Sequence, residues 1–326
     1  MPYSADVVRR ARQRLEQEKA DRESENLEHL ENAYAQVPRL RQIDAQLRRT
    51  MALAAQAAFT KGGDVRQAME QVRDANLALQ REREILVQTY FEEGYLDDSP
   101  ICSQCGGTGY VGGAMCQCLR ELCRQEQKKE LSLLASGKES FDKFRLDYYP
   151  DRVDGTYGAS PRQIMERNFE VCRRYAQGFG SRSGNLLFVG GTGLGKTFLS
   201  ACIARAAADK GFSVAYEPAP RMFSKLENDR VRPDEQSRAA VANLTGCDLL
   251  IVDDLGTEMT TEFITAAFYG LLNERLLADK PMLISTNLNV EEIARRYSPQ
   301  IASRLQGNFQ RLTFVGEDIR VLKNRG

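Results

Sequence analysis

The stretch Gly190–Thr197, GGTGLGKT, has the spacing G-x-x-x-x-G-K-T. Glycines at Gly190, Gly191, Gly193 and Gly195 let backbone N–H groups curl around a phosphate without side-chain clashes, and Thr192 and Leu194 complete the loop. A helix starting at the end of the motif would add partial positive charge. In that setting Lys196 reaches the outer phosphates and the Thr197 hydroxyl binds Mg²⁺. The flanks agree with this reading: Asn185–Val189 reads as a buried strand and Phe198–Lys210 as a helix, the context the motif requires. Two further apolar runs end in polar groups. Leu249–Val252 leads into Asp253 and Asp254. The first carboxylate is suited to hold the Mg²⁺ shell, the second to orient or deprotonate an attacking water. Aspartate in that second place is shorter than the glutamate of many ATPases, which argues for slower turnover or a shifted water. Lys280–Leu288 reads as a third buried strand ending in Ser285, Thr286 and Asn287, polar groups able to hydrogen-bond a terminal phosphate or the water.

A second cluster carries different chemistry. Cys102 and Cys105 form C-x-x-C, and Cys116 and Cys118 form C-x-C after a gap of ten residues. Four thiolates in such pairs can make a tetrahedral Zn²⁺ site. Gly106, Gly107 and Gly109 allow tight turns that bring backbone N–H groups toward sulfur. Cys123 is a fifth candidate for four places and could replace Cys116 or Cys118. An Fe–S cluster is the second choice, and a redox C-x-x-C the third, since no thioredoxin-like pattern surrounds it. Cys172, Cys202 and Cys247 read as small buried hydrophobes. His29, the single histidine, reads as solvated on a charged helix.

The elements that must position these groups follow from composition and periodicity. The chain has 326 residues and balances 45 Lys and Arg against 45 Asp and Glu. No global basic field advertises nucleic acid, so any such contact requires a local patch. No apolar run approaches a membrane span, and the N-terminal residues lack an apolar signal core, so a cytoplasmic protein without membrane contact is expected. Residues 1–95 read as a helical partner-docking region. Leu27, Leu30, Tyr34, Val37, Leu40, Ile43 and Leu47 make one apolar stripe with Pro38 as a kink, and Met69, Val72, Leu79 and Leu86 make another. Lys61–Asp64, KGGD, marks the break between them, giving a helical hairpin. Residues 96–125 form the cysteine module. Residues 126–160 are an exit helix and a turn-rich linker whose Phe141, Phe144, Tyr148 and Tyr149 pack onto the next domain. Residues 161–326 alternate helix and strand, as an α/β domain with a parallel sheet does.

Together GGTGLGKT, LLIVDDLG, STN, SRL and GEDIR resemble the AAA+ ATPases of the bacterial DnaC/DnaI helicase-loader class, over roughly Phe141 to Arg320 and including the lead-in FDKFRLDYY. The resemblance implies an AAA+ P-loop fold in which Asn287 is the sensor-1 residue, Arg304 the arginine finger and Arg320 the sensor-2 residue. Six arginines lie between Arg295 and Arg325, and most of them read as surface charge. Few residues follow Arg320, so no full helical lid is expected. The resemblance also implies binding of ATP or ADP with Mg²⁺, a DnaB-type replicative helicase as partner, single-stranded DNA as a second partner, and self-association that offers Arg304 to a neighbouring site. Some loaders of this class carry a zinc module ahead of the ATPase domain. CSQCGGTG matches the C-x-x-C-x-G-x-G unit of DnaJ-type chaperones too, but those use several repeats. Two rivals stand beside the loader: a transposition helper with a similar AAA+ core, and a nucleotide-gated adaptor with little turnover.

Overall fold

The computed structural model describes residues 3–57, 65–134 and 139–323. They divide into a helical unit, Arg14–Cys116, and a sheet unit made of Met1–Gln13 and Gln117–Gly326. Residues 1–95 are therefore shared between the two units.

The helical unit draws on α1 (Ala5–Gln36), α2 (Pro38–Ala57) and α3 (Val65–Tyr90). Pro38 opens α2, where a missing N–H costs nothing, so the expected kink is a helix break at Val37. Ala33, Val37 and Leu40 are buried among Tyr34, Leu86, Val87, Phe91, Tyr95 and Leu96. Leu27, expected in the same stripe, is 59% exposed. Asp44 ties the helices together, accepting from Tyr34 Oη at 2.7 Å and from Arg83 Nε at 2.8 Å. The break at Lys61–Asp64 and the side chains of Met69 and Val72 lie outside the described residues. His29 is not simply solvated. Its ring stacks on Tyr95 with centroids 4.3 Å apart, and its Nδ1 lies 2.9 Å from the Tyr95 carbonyl. In the cysteine segment β1 (Tyr110–Val111) pairs antiparallel with β2 (Ala114–Met115). Gly112 and Gly113 between them both have positive φ, +56° and +81°, as a tight two-residue hairpin turn demands.

In the sheet unit α4 (Gln117–Leu134) precedes short 3₁₀ turns at Phe141–Lys143 and Leu146–Tyr148. Then α5 (Pro161–Gly178) starts with a reciprocal cap between Ser160 and Gln163. The order continues β3 (Asn185–Val189), α6 (Lys196–Asp209), β4 (Val214–Pro218), α7 (Ala219–Val231), α8 (Glu235–Gly246), β5 (Leu249–Leu255), α9 (Glu262–Leu277), β6 (Met282–Thr286), α10 (Val290–Arg296), α11 (Pro299–Asn308), β7 (Phe309–Thr313) and α12 (Ile319–Lys323). The five strands form one parallel sheet in the order β4-β5-β6-β3-β7. This is the α/β architecture expected from the motifs, a parallel sheet flanked by helices. Successive strand residues face opposite sides. Leu186, Phe188, Leu249, Ile251 and Leu283 enter one core, while Leu187, Leu250, Val252, Met282 and Ile284 enter the other. With both faces covered, the strands read as unbroken apolar runs.

The edge strand β4 is closed by α4. Gln127 donates from Nε2 to the Phe212 carbonyl at 3.0 Å and accepts the Val214 N–H at 2.9 Å, in place of a neighbouring strand. The start of α1 holds the same helix: Arg10 pairs with Glu130 at 2.9 Å, and Tyr3, Val7 and Ala11 are buried. Arg275 on α9 is fully buried. Its guanidinium donates to the carbonyls of Leu244 and Pro281, each at 2.7 Å, and of Cys247 at 3.1 Å. It thus stabilises the C-terminus of α8, where a cation is favoured, and the entry to β6. Arg275→Ala should leave these carbonyls unpaired and lower unfolding free energy by about 3 kcal/mol. Urea denaturation checks this, and an unchanged midpoint would rule the role out.

Candidate functional site

Strands β5, β6 and β3 are neighbours, so their C-terminal ends lie side by side. Asp253 and Asp254 lie just before the end of the first, Asn287 follows the second, and the glycine loop follows the third. Ligands of parallel α/β sheets sit at such an edge. Lys196, the first residue of α6, is buried. Its Nζ donates to the Gly190 carbonyl at 2.7 Å, the Gly191 carbonyl at 2.6 Å and Asn287 Oδ1 at 2.6 Å. Burial holds the Lys196 pKa below its ordinary value, against the opposing pull of Asp254 and Asp253.

Two contacts fix the loop from outside. The buried Tyr149 hydroxyl donates to the Leu194 carbonyl at 2.9 Å, and the Ile319 N–H donates to the Gly193 carbonyl at 3.0 Å. A side chain at Gly193 would stand 1.8 Å from Asp318 Oδ1, so this glycine is required by close approach as well as by its φ of +72°. A cavity of about 390 Å³ opens beside the loop, lined by Phe144, Tyr148, Thr192–Phe198, Asp254, Ile319 and Arg320 among others. Its aromatic wall comes from the linker, which the sequence assigned only to packing. Among the residues expected to bind nucleotide, Thr197 and Arg320 line this cavity too.

Asp253 is buried and Asp254 half-buried. Ser285 does not reach toward a phosphate. It donates to Asp253 Oδ1 at 2.5 Å and accepts the Asp254 N–H at 2.9 Å. Thr286 likewise turns inward and donates to the Leu255 carbonyl at 2.7 Å. Of the three polar residues at this strand end, Asn287 alone contacts Lys196. Sequence reasoning missed Tyr216, whose hydroxyl donates to Asp253 Oδ2 at 2.9 Å; a phenol beside Glu217 near a strand end was the available signal. Asp254 takes φ +55°, in the left-handed region that aspartate tolerates better than most non-glycine residues. Burial, then the neighbouring Asp253, raises its pKa above the ordinary carboxylate value.

Arg304 on α11 is not among the residues lining the cavity. Its Nε donates to Asn273 Oδ1 at 2.6 Å and its Nη2 to the Tyr269 hydroxyl at 2.7 Å, and the guanidinium lies 4.3 Å from the Tyr269 ring centroid.

In the cysteine segment the Sγ atoms of Cys102, Cys105, Cys116 and Cys118 all lie within 4.8 Å of one another. Cys102 and Cys116 are 3.8 Å apart, close to the ~3.8 Å edge of a tetrahedron with 2.3 Å metal–sulfur bonds and too long for a disulfide. The Gly109 N–H donates to Cys105 Sγ at 3.3 Å, a contact that suits a thiolate. The donor set fits Zn²⁺. Cys123 stands outside this group, buried on α4 with its thiol pushed up to about 11 by burial. Of the three sulfurs left open by spacing, those of Cys116 and Cys118 join the cluster. Cys172, Cys202 and Cys247 are buried, as expected.

Known proteins resemble parts of this chain. Residues 168–307 match the IstB-like ATP binding protein family. The phage-like element PBSX protein XkdC of Bacillus subtilis is 27% identical over 192 residues, 56% of this chain and 66% of its own length. The insertion sequence ATP-binding protein y4pL of Sinorhizobium fredii is 30% identical over 141 residues, 42% and 56% of the two chains. The replicative helicase loader DnaI of Bacillus subtilis is 26% identical over 114 residues, 35% and 36%. The matches thus span between 36% and 66% of these relatives' lengths. Among solved structures, the DnaC helicase loader aligns at TM-score 0.46 with 19% identity, covering 54% of this chain and 97% of that one. DnaI aligns at 0.44 with 18% identity, covering 56% and 90%. Among the described residues no helix is long and apolar enough to cross a membrane.

Two outcomes are expected. Serine at Cys102, Cys105, Cys116 or Cys118 should abolish zinc in the purified chain, whereas Cys123→Ser should keep about one zinc per chain, read by metal analysis. Loss of zinc with Cys123→Ser alone would reassign the ligands. Asp254→Asn should raise the melting temperature near pH 7 without ligand. Because the folded-state pKa is raised, the carboxyl favours the folded state at low pH and loses that contribution as pH rises through its folded value. Asparagine removes the charge and tolerates the left-handed backbone. Its advantage should fade below the pKa of a free aspartate, and a pH-independent difference would contradict the assignment.

Proposed function

We propose that the chain is an Mg²⁺-dependent ATPase that loads a DnaB-type replicative helicase onto single-stranded DNA. The observation that supports the reading most strongly is the convergence of Lys196, Asp253, Asp254 and Asn287 at adjacent strand ends beside a glycine loop. In this reading, the N–H groups of Gly191–Thr197 cradle the phosphates of ATP, and Lys196 exchanges its carbonyl partners for phosphate oxygens. Thr197 and Asp253 would hold magnesium, which would neutralise charge on the phosphates. Asp254 accepts the proton of the attacking water, a role suited to its raised pKa. Asn287 positions that water or the terminal phosphate. Arg320 contributes positive charge to the same cavity.

Arg304, clamped by Asn273 and Tyr269, is preorganised as an arginine finger for the site of a second copy. The helices of residues 14–95 and the zinc knuckle grip the helicase, and hydrolysis releases it. The likeness to DnaI and the cysteine module ahead of the ATP-binding region favour the loader. The likeness to the insertion-sequence protein favours a second reading, a transposition helper. A nucleotide-gated adaptor remains the third.

Capture of the purified DnaB-type helicase in ATP and in ADP separates these readings. The loader predicts a complex in ATP that weakens in ADP, together with phosphate release stimulated by single-stranded DNA. No complex in either state would sink the loader, and a nucleotide-dependent complex without phosphate release would leave the adaptor.

A further inference from the structure

The two oxygens of Asp253 are gripped separately. Ser285 Oγ donates to Oδ1 at 2.5 Å and Tyr216 Oη donates to Oδ2 at 2.9 Å, and all three residues are buried. The donors stand on the strands either side of β5, Tyr216 on β4 and Ser285 on β6. A carboxylate joined to the backbone by two rotatable bonds is thereby fixed from both flanks. Each oxygen accepts one hydroxyl proton and keeps a further lone pair for a cation or its water.

Tyr216 is itself well anchored. Its backbone pairs with Ile251, and the edge of β4 beyond it is closed by Gln127. A phenol is protonated at neutral pH, so its hydroxyl is a donor to the carboxylate. Ser285 also accepts the Asp254 N–H at 2.9 Å, so one hydroxyl sets the carboxylate of Asp253 and the backbone of Asp254 together.

We propose that Tyr216 and Ser285 are positioning residues that hold the Asp253 carboxylate at the angle needed to bind a divalent cation with its nucleotide. The inference rests on Asp253 being the magnesium carboxylate. If the two hydroxyls served packing alone, their loss would lower stability and leave metal-linked binding intact. If they orient the carboxylate, their loss falls on the metal-dependent part of nucleotide affinity.

The test uses the full chain and a fluorescent ATP analogue, titrated in Mg²⁺ and in EDTA. For Tyr216→Phe and for Ser285→Ala, metal-free affinity should stay close to that of the unsubstituted chain, which also reports that the site is folded. The gain in affinity on adding Mg²⁺ should shrink about tenfold. A full Mg²⁺ gain in Tyr216→Phe, with or without a lower melting temperature, would overturn the positioning role. An unsubstituted chain that binds the analogue equally well in Mg²⁺ and EDTA would instead overturn the magnesium reading of Asp253, and this inference with it. No binding by the unsubstituted chain in either buffer would overturn the ATP site as a whole.

Discussion

A buried ammonium needs oxygen around it, and the end of the sheet supplies it to Lys196. The side chain is 4% exposed and holds three oxygens within 2.7 Å, two from its own loop and one from Asn287, just past a strand and 91 residues away in sequence. An isolated buried charge would be strongly unfavourable. The rest of the site depends on meeting that demand. The glycine loop must fold back so that its first carbonyls face the ammonium, β6 must lie beside β3 to deliver Asn287, and two aspartates stand near enough to oppose the loss of the proton. A phosphate can compete for the same ammonium because its oxygens carry full charge.

Around that centre, distant parts of the chain orient the glycine loop and the aspartates: Tyr149 from the linker, Ile319 from the segment after β7, Tyr216 from the edge strand, and Ser285 from inside β6. The linker in particular does more than join two parts. Tyr149 is fully buried and holds the loop from behind, while Phe144 and Tyr148 line the cavity beside it. The cysteine knuckle is organised locally by contrast, through a two-residue hairpin and an N–H on sulfur.

Much of this was legible in the chain. The strands β3, β5 and β6 announced themselves as short apolar runs because both faces of a parallel sheet are covered; the runs of β5 and β6 led into polar residues, and that of β3 into the glycine loop. The knuckle was legible because its four sulfurs lie within seventeen residues, Cys102 to Cys118. What periodicity misread was exposure. Leu27 belongs to the apolar stripe by spacing but lies largely in solvent, and His29 stacks on a tyrosine sixty-six residues away that no local pattern could reveal. Ser285 looked like Asn287, a polar residue at a strand end, yet only Asn287 reaches Lys196, while Ser285 is spent on the neighbouring strand.

By itself the sequence determined the phosphate-binding loop, the paired aspartates, the cysteine spacing and the alternation of helix and strand, since each is written in residues close together along the chain. Only the tertiary structure decided which strands are neighbours, that Asn287 meets Lys196, that Cys123 stays outside the sulfur cluster, and that Tyr216 and Ser285 share Asp253. The physical reason is the same in each case. Backbone propensity and apolar period act over a few residues, whereas the satisfaction of a buried charge or carboxylate is settled by whichever donors the packed sheet brings within about 3 Å.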